Sequence, residues 1–311
     1  MTSVPSPAQG SPAHAAEIRF GLVCGVAAYA LWGLFPVYLK QLSFADPAEI
    51  VAHRIVWSVP FGAFILSLRG QWRETLAAAR APRILALLGV AAVFIALNWL
   101  IYVWAVANDR VLQASLGYYI NPLVFIAAGV FFLKEKLSRL QIIAVVMATI
   151  GVAVLTFGAG VFPWPSFVLA FSFTMYGLVR KTTAVGAMPG LFIETVLLSP
   201  VALLFLMWLQ SQGTLALGRH GFGSDFLLFL AGPVTVGPLV LFALAARRLT
   251  LTTIGFLQYI GPTGQFFLGL YYGEAFTTAH AICFGLIWSA LALISLDALR
   301  RNRKPAKPIA A

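Results

Sequence analysis

Residues 84–107 read ILALLGVAAVFIALNWLIYVWAVA, a run that contains no charged side chain. A helix needs about 20 mostly apolar residues to cross the roughly 30 Å hydrocarbon core of a bilayer, and this run is long enough. Its apolar residues are continuous rather than alternating, which is typical of a membrane helix and not of a membrane strand. The stretch therefore predicts a transmembrane helix.

Nine further apolar runs lie on either side of it, each bounded by charge, Pro or Gly. Composition agrees, because the 311 residues are 60% hydrophobic and only 10% charged, unlike a soluble domain. We predict an all-α integral membrane protein with ten transmembrane helices. The other nine predicted spans are 20–39, 48–68, 112–133, 140–157, 164–179, 190–209, 226–246, 252–272 and 279–296.

The basic residues predict the orientation of these spans. With the amino terminus in the cytoplasm, 17 Lys and Arg residues fall on the cytoplasmic side and only Lys40, Arg110 and Arg219 fall outside. By the positive-inside rule we expect a multi-pass protein of the plasma (inner) membrane with both termini cytoplasmic. The same distribution explains the net charge of +11, so we expect no nucleic-acid partner. The expected partners are the lipid bilayer and a small-molecule substrate.

A shift of 140 residues aligns the two halves of the chain weakly but over several spans. Tyr119-Ile120-Asn121-Pro122 then faces Tyr259-Ile260-Gly261-Pro262, and Pro60 faces Pro200. Each half holds five predicted spans, and because five is odd the second half enters the membrane from the opposite side. Inverted repeats are typical of secondary transporters and also occur in channels, and Pro-interrupted spans at matched positions favour a carrier.

The chain divides into four predicted segments. We expect a disordered tail over 1–17, a first repeat over 18–157, a second repeat over 158–299 and a basic tail over 300–311. The first tail is rich in Pro, Ala and Ser and lacks the basic and apolar regions of a signal peptide. The second is expected to lie against anionic lipid headgroups.

Ordered motifs occur along nearly the whole chain. They include Ala52-His53-Arg54-Ile55-Val56-Trp57-Ser58, Asn98-Trp99-Leu100, Ile120-Asn121-Pro122-Leu123, Tyr176-Gly177-Leu178-Val179-Arg180-Lys181 and Gln258-Tyr259-Ile260-Gly261-Pro262. In these motifs the sequence resembles the EamA family of the drug/metabolite transporter superfamily. The resemblance implies ten helices in two EamA repeats, cytoplasmic termini and a plasma-membrane permease.

Arg54 and Glu194 are charged residues in the middle of predicted spans, and the 140-residue shift makes them equivalent. An ionised group at the bilayer centre costs on the order of 3 kcal/mol on insertion scales, so both side chains are expected to face the bundle interior. In one hypothesis they flank a substrate cavity, where Arg54 attracts an anionic or polar group and Glu194 balances charge or binds a proton. In the other they form a fixed ion pair between the halves.

Other polar and aromatic side chains, at spacings that share a helix face, are predicted to line the same cavity. They suit an amphipathic or aromatic metabolite. The alternatives are that the amides only join helices by hydrogen bonds and that the tryptophans belong to interface belts. The residues are His53, Trp57, Asn98, Tyr102, Tyr118, Asn121, Gln258 and Tyr259.

Two prolines are predicted hinges. Pro122 and Pro262 occupy equivalent positions, and each removes a helix hydrogen bond and frees a carbonyl for rocking or for the cavity. Kinks without a function are the alternative.

The sequence disfavours catalysis. It contains no Gly-x-Ser-x-Gly elbow, no His-Glu-x-x-His motif and no Walker loop, so we expect neither an enzyme nor a cofactor. We expect no metal site, on the interpretation that the helix of His53 carries no second His, Cys or carboxylate at ligand spacing. An ion or substrate gradient would supply the energy, with protons as one candidate ion and Glu194 as their candidate site. A channel-like facilitator and a non-transporting scaffold or sensor are the competing functions.

The orientation can be tested with reporter fusions. Fluorescent protein fused to either end of the full chain should be fluorescent, because that end is predicted to lie in the cytoplasm, and alkaline phosphatase at either end should be inactive. Phosphatase activity at one end only would contradict an even number of spans.

Overall fold

The computed structural model describes residues 12–133, 139–159, 162–246, 248–249, 253–254 and 257–302. In this part of the chain every regular element is a helix, which confirms the predicted all-α class. The helices are α1 (Pro12–Gly33), α2 (Phe35–Gln41), α3 (Pro47–Arg69), α4 (Trp72–Ala79), α5 (Pro82–Ala107), α6 (Val111–Leu133), α7 (Arg139–Ala159), α8 (Trp164–Thr182), α9 (Ala187–Ser211), α10 (Phe222–Ala246), α11 (Ile260–Tyr271) and α12 (Thr278–Asn302).

Seven segments of the described chain are long and apolar enough to cross a membrane. The other three predicted spans, 112–133, 164–179 and 252–272, overlap α6, α8 and α11. The segments are Ala16–Gln41, Pro47–Arg69, Pro82–Ala107, Arg139–Gly158, Ala187–Ser211, Phe222–Ala245 and Thr278–Leu296.

The first helix begins earlier than the sequence predicted. It starts at Pro12, so residues 12–17 are helical rather than part of a disordered tail. Ala residues in this segment are the best helix formers, and Pro is well suited to a first helical position. Glu17 is also held by Arg248, whose Nε lies 2.6 Å from the Glu17 carboxylate. At the other end α12 extends to Asn302, into the expected basic tail.

The first predicted span is broken rather than continuous. A bend at Leu34 separates α1 from α2, and Pro36 lies in the first turn of α2. Pro36 has no N–H to donate to the carbonyl four residues earlier, that of Trp32. The side chain of Gln265 donates to this carbonyl instead, from Nε2 at 3.1 Å. A side chain of α11 thus satisfies a backbone group that the break in the first span leaves free.

Helices from the two halves of the chain pack against each other throughout the bundle. The central contacts join α3 with α9 and α6 with α11, and α7 packs along α12. Around them α1 contacts α10 and α11, while α8 contacts α5 and α6. The larger buried core lies mainly among α2, α3, α5 and α9, and a second core lies among α6, α7, α11 and α12.

Gly117 sets the spacing between α6 and α8. A Cβ at this position would lie 2.9 Å from the carbonyl oxygen of Ser166 and 3.0 Å from its Cα. These are backbone atoms, which cannot move aside without shifting the whole helix. Small residues are the usual means of bringing membrane helices this close.

We expect Gly117→Ala to destabilise the protein by about 1–3 kcal/mol, because the added methyl group overpacks the α6–α8 contact. Gly89→Ala is the matched control, since a Cβ there meets no atom within 4 Å. That substitution should be neutral or stabilise by about 0.5–1 kcal/mol through helix propensity. Melting temperatures of both variants in one detergent would check this, and equal values would contradict it.

Candidate functional site

Arg54 lies in the larger core, on α3, and only 5% of it is exposed. Its guanidinium carbon lies 4.8 Å from the ring centre of Phe35 and 4.5 Å from that of Trp99, so aromatic rings of α2 and α5 hold the cation. Its Nε donates to Thr235 Oγ1 of α10 at 3.1 Å, and its Nη1 is buried with no hydrogen-bond partner among the residues that the structure describes. Such cation–π contacts stabilise a desolvated cation but do not neutralise it.

Asn98, Tyr102 and Tyr118, three of the residues predicted to line the cavity, lie close to one another beside the ring of Phe35. Asn98 is 1% exposed, and its Nδ2 donates to Ser172 Oγ at 3.1 Å. Tyr118 donates its hydroxyl to Asn98 Oδ1 at 3.2 Å. The ring of Tyr102 stacks on that of Phe35, with centres 5.9 Å apart, and its hydroxyl is buried with no partner in the described part of the chain.

Glu194, on α9, is completely buried. Its Oε1 lies 3.5 Å from Arg180 Nε, and Tyr176 donates its hydroxyl to Oε2 at 3.3 Å. Arg180, which the topology counted as a cytoplasmic loop cation, instead turns inward from the end of α8. A Cβ at Gly190 would collide with its guanidinium group, so glycine there makes room for the pair.

Arg54 and Glu194 therefore do not pair with each other. Among the described residues no carboxylate lies within ion-pair distance of Arg54, and Glu194 has its own cation. The structure thus disfavours the hypothesis of a fixed Arg54–Glu194 bridge between the halves.

A file of aromatic rings connects the two charged residues. From Phe35 and Tyr102 it continues through Tyr118, Phe173 and Tyr176, with ring centres 5.7 to 6.2 Å apart between Tyr102 and Tyr176. It begins at the ring under Arg54 and ends at the hydroxyl that binds Glu194. The two sites are thus separate ends of one aromatic wall.

His53 has a neighbour that sequence reasoning overlooked. Glu49 lies four residues earlier on α3, and its Oε1 is 3.5 Å from His53 Nε2. The same oxygen accepts the backbone N–H of Ala216 at 2.8 Å. The statement that no second ligand type stands at a suitable spacing on this helix was therefore wrong, although the described residues contain no group of three metal ligands.

The remaining predicted site residues are dispersed. Trp57 packs on Phe229 rather than on Arg54, with ring centres 5.1 Å apart. Asn121 is buried, and its Oδ1 has no partner among the described residues. Gln258 and Tyr259 form the turn before α11, where Tyr259 packs against the second core.

The two predicted hinges differ from each other. Pro262 lies in the first turn of α11, where its missing N–H costs no helix hydrogen bond, so it is not a kink in mid-helix. Pro122 lies within α6, and its side chain falls outside the described part of the chain.

The two cavities that stand out lie away from the predicted site. One of about 450 Å³ opens between the starts of α6 and α12, beside Glu274 and His280. The other, of about 250 Å³, is an apolar groove among α3, α5 and α9. The predicted site itself is closed, since Arg54, Asn98 and Glu194 are 5%, 1% and 0% exposed.

Comparison with known proteins identifies the family. The model of the EamA-like transporter family matches residues 19–157. A Streptomyces exfoliatus protein named Protein RarD is 46% identical over 292 residues, covering 93% of this chain and 92% of that protein. The chain belongs to the EamA-like transporter family. It is therefore a member of the drug/metabolite transporter superfamily and a multi-pass membrane protein.

Other relatives of this EamA protein agree. A Salmonella typhi Protein RarD is 42% identical over 291 residues, covering 93% of this chain and 99% of that protein. A Pseudomonas aeruginosa protein named chloramphenicol-sensitive protein RarD is 32% identical over 293 residues, covering 92% of this chain and 97% of that protein. A solved crystal structure with 20% identity aligns with a TM-score of 0.58 over 91% of this chain and 99% of that chain, which shows a shared fold.

Three contacts of this EamA protein escaped sequence reasoning. Arg180 was treated as a loop residue, although it follows Tyr176 by four residues and both belong to a quoted motif. Glu49 stands at the same spacing before His53. Helical i, i+4 spacing was the available signal in both cases. Thr235, which contacts Arg54 from another helix, carried no such signal.

Removal of Arg180 should destabilise the protein. Arg180→Gln leaves Glu194 buried without its cation, which we expect to cost about 3 kcal/mol of folding free energy. The double variant with Glu194→Gln should recover most of this loss. Arg110→Gln is the control, because Arg110 lies over Trp104 at 5.2 Å and should change stability by under about 1 kcal/mol. Thermal melts of Arg180→Gln, Glu194→Gln, their double variant and Arg110→Gln would check this, and additive effects of the two single substitutions would contradict it.

Proposed function

We propose that this EamA protein is a secondary carrier that moves a small amphipathic metabolite or drug-like molecule across the plasma membrane by alternating access. It would have ten spans in two inverted five-helix repeats, with both termini cytoplasmic. The observation that carries the proposal is the closed polar site, in which Arg54 and Glu194 occupy equivalent positions of the two halves and are both sealed from solvent. Ionisable groups inside membrane bundles mark transport pathways by default.

The helix packing supports two equivalent halves. If α1, α3, α5, α6 and α7 are exchanged for α8, α9, α10, α11 and α12, the main contacts exchange with them. The α1–α10 contact becomes α8–α5, the α1–α11 contact becomes α8–α6, and the α3–α10 contact becomes α9–α5. The contacts of α3 with α9, α6 with α11 and α7 with α12 map onto themselves. This is the packing that a twofold relation between the halves requires.

Contacts between the halves join them at both ends of the bundle. At the end proposed to face the cytoplasm, Glu74 Oε1 accepts the backbone N–H of Gly186 at 2.7 Å, at the start of α9. At the opposite end Glu274 accepts the N–H groups of Val111 and Leu112, at 2.5 and 2.8 Å, at the start of α6. Each carboxylate lies at a helix amino terminus, where negative charge is stabilised. These contacts and the burial of Arg54 and Glu194 fit an occluded carrier better than an open channel.

A two-sided labelling experiment tests alternating access. Thr235→Cys, in a full chain with Cys24→Ala and Cys283→Ala, places one thiol beside Arg54. Because the site should open to each side in turn, we expect a membrane-impermeant maleimide to label it both in intact cells and in inverted vesicles. The cysteine-free parent is the control. Labelling from only one side, or from neither, would contradict alternating access.

A cross-link separates a carrier from a channel. Glu74→Cys and Gly186→Cys, added to the labelling variant and bridged, should hold the cytoplasmic end closed. In a carrier, labelling from inverted vesicles then stops while labelling of intact cells persists or rises. Unchanged labelling from both sides would favour the channel-like facilitator, and a site that never labels would favour a scaffold or sensor.

A further inference from the structure

We propose that the substrate of this carrier is a net anion whose carboxylate binds Arg54, with an apolar or aromatic body packed along the file of rings from Phe35 to Tyr176. The inference rests on the proposed function and specifies the substrate class of the same site.

The first step concerns the hydrogen-bond donors at Arg54. Only Thr235 accepts from its guanidinium among the described residues, and Nη1 is buried and unpartnered. The hydroxyl of Tyr102 is also buried with no partner in the described chain, and its ring stacks on that of Phe35, which lies against the same guanidinium. The site therefore has more donors than acceptors. A carboxylate corrects this imbalance, since it only accepts and offers about four lone pairs.

The second step concerns charge. In the described chain neither buried carboxylate lies within ion-pair distance of Arg54, because Glu194 lies beside Arg180 and Glu49 lies beside His53. Neither is placed to neutralise Arg54. A zwitterion or a cation would bring a positive group for which the described residues around Arg54 provide no carboxylate. A net anion, in contrast, neutralises the site, and a buried charge is tolerated only when it is paired.

The third step concerns direction of approach. The ring centres of Phe35 and Trp99 lie 4.8 and 4.5 Å from the guanidinium carbon of Arg54, so these two rings pack against the centre of the group. Nη1 has no hydrogen-bond partner in the described chain, and the fork of a guanidinium matches the two oxygens of a carboxylate. The adjoining surface consists of aromatic rings rather than charges, from Tyr102 to Tyr176. It suits an apolar or aromatic body.

Binding of isosteric probes to the purified full chain tests the proposal. The probes are 3-phenylpropionate, 3-phenylpropionamide, 3-phenylpropylammonium and phenylalanine, with straight-chain and aryl monocarboxylates of other lengths. Quenching of tryptophan fluorescence reports occupancy, because Trp99 lies against the guanidinium. We expect at least one monocarboxylate to bind at least tenfold more tightly than its amide, its amine and the zwitterion.

Variants separate the role of Arg54 from general effects. Arg54→Gln should lose at least tenfold in carboxylate affinity, whereas Arg54→Lys, which keeps the charge, should retain part of it. Arg110→Gln, the control, should bind as the wild type does. An elution profile and melting temperature like those of the wild type would establish that each variant is folded.

Three outcomes overturn the inference: no monocarboxylate binds, the amide or amine binds as tightly as the carboxylate, or Arg54→Gln binds the carboxylate as the wild type does. The labelling of Thr235→Cys separates this failure from failure of the proposed function. If labelling from both sides persists while carboxylate selectivity is absent, the proposal of a carrier is retained and only the proposed substrate class is contradicted.

Discussion

The buried guanidinium group of Arg54 constrains how the surrounding helices can pack. Hydrocarbon cannot solvate the charge, so the helices must enclose Arg54 on every side and supply whatever stabilisation it receives. Here α2 and α5 contribute aromatic faces, and α10 contributes one hydroxyl. These helices keep the cation away from lipid, and the part of the chain that the structure describes gives it no counter-ion.

The buried charged residues of the two halves are stabilised by different partners. In the first half the charged residue, Arg54, contacts rings and a hydroxyl, whereas in the second half Glu194 is paired with Arg180 and bound by Tyr176. The two charged residues thus differ in their partners. In the described chain Glu194 has a cation beside it, whereas Arg54 has no carboxylate within ion-pair distance.

Much of the fold was predictable because hydrophobicity over 20 residues is a strong signal, and helix is the only solution for such runs in lipid. The two charged positions were predictable for the same reason, since charges stand out within apolar runs. Their partners were not, because a contact such as Thr235 to Arg54 joins residues far apart in the chain and depends on how helices pack. The predicted topology also assigned Arg180 to a loop. Its long side chain reaches back into the bundle to Glu194, which a topology based on hydrophobic runs does not predict.

Local backbone chemistry was harder to predict than the spans. The sequence showed Pro36, but its effect depends on a partner that only the fold supplies. The break in the first span frees the carbonyl of Trp32, and Gln265 of the second half donates to it. If α1 slid past α11, this bond would break. The carbonyl of Trp32 would then lack a hydrogen bond, which is costly in a membrane interior. The bond therefore couples the two helices mechanically, so any rearrangement of the halves should carry them as one rigid pair and concentrate bending elsewhere.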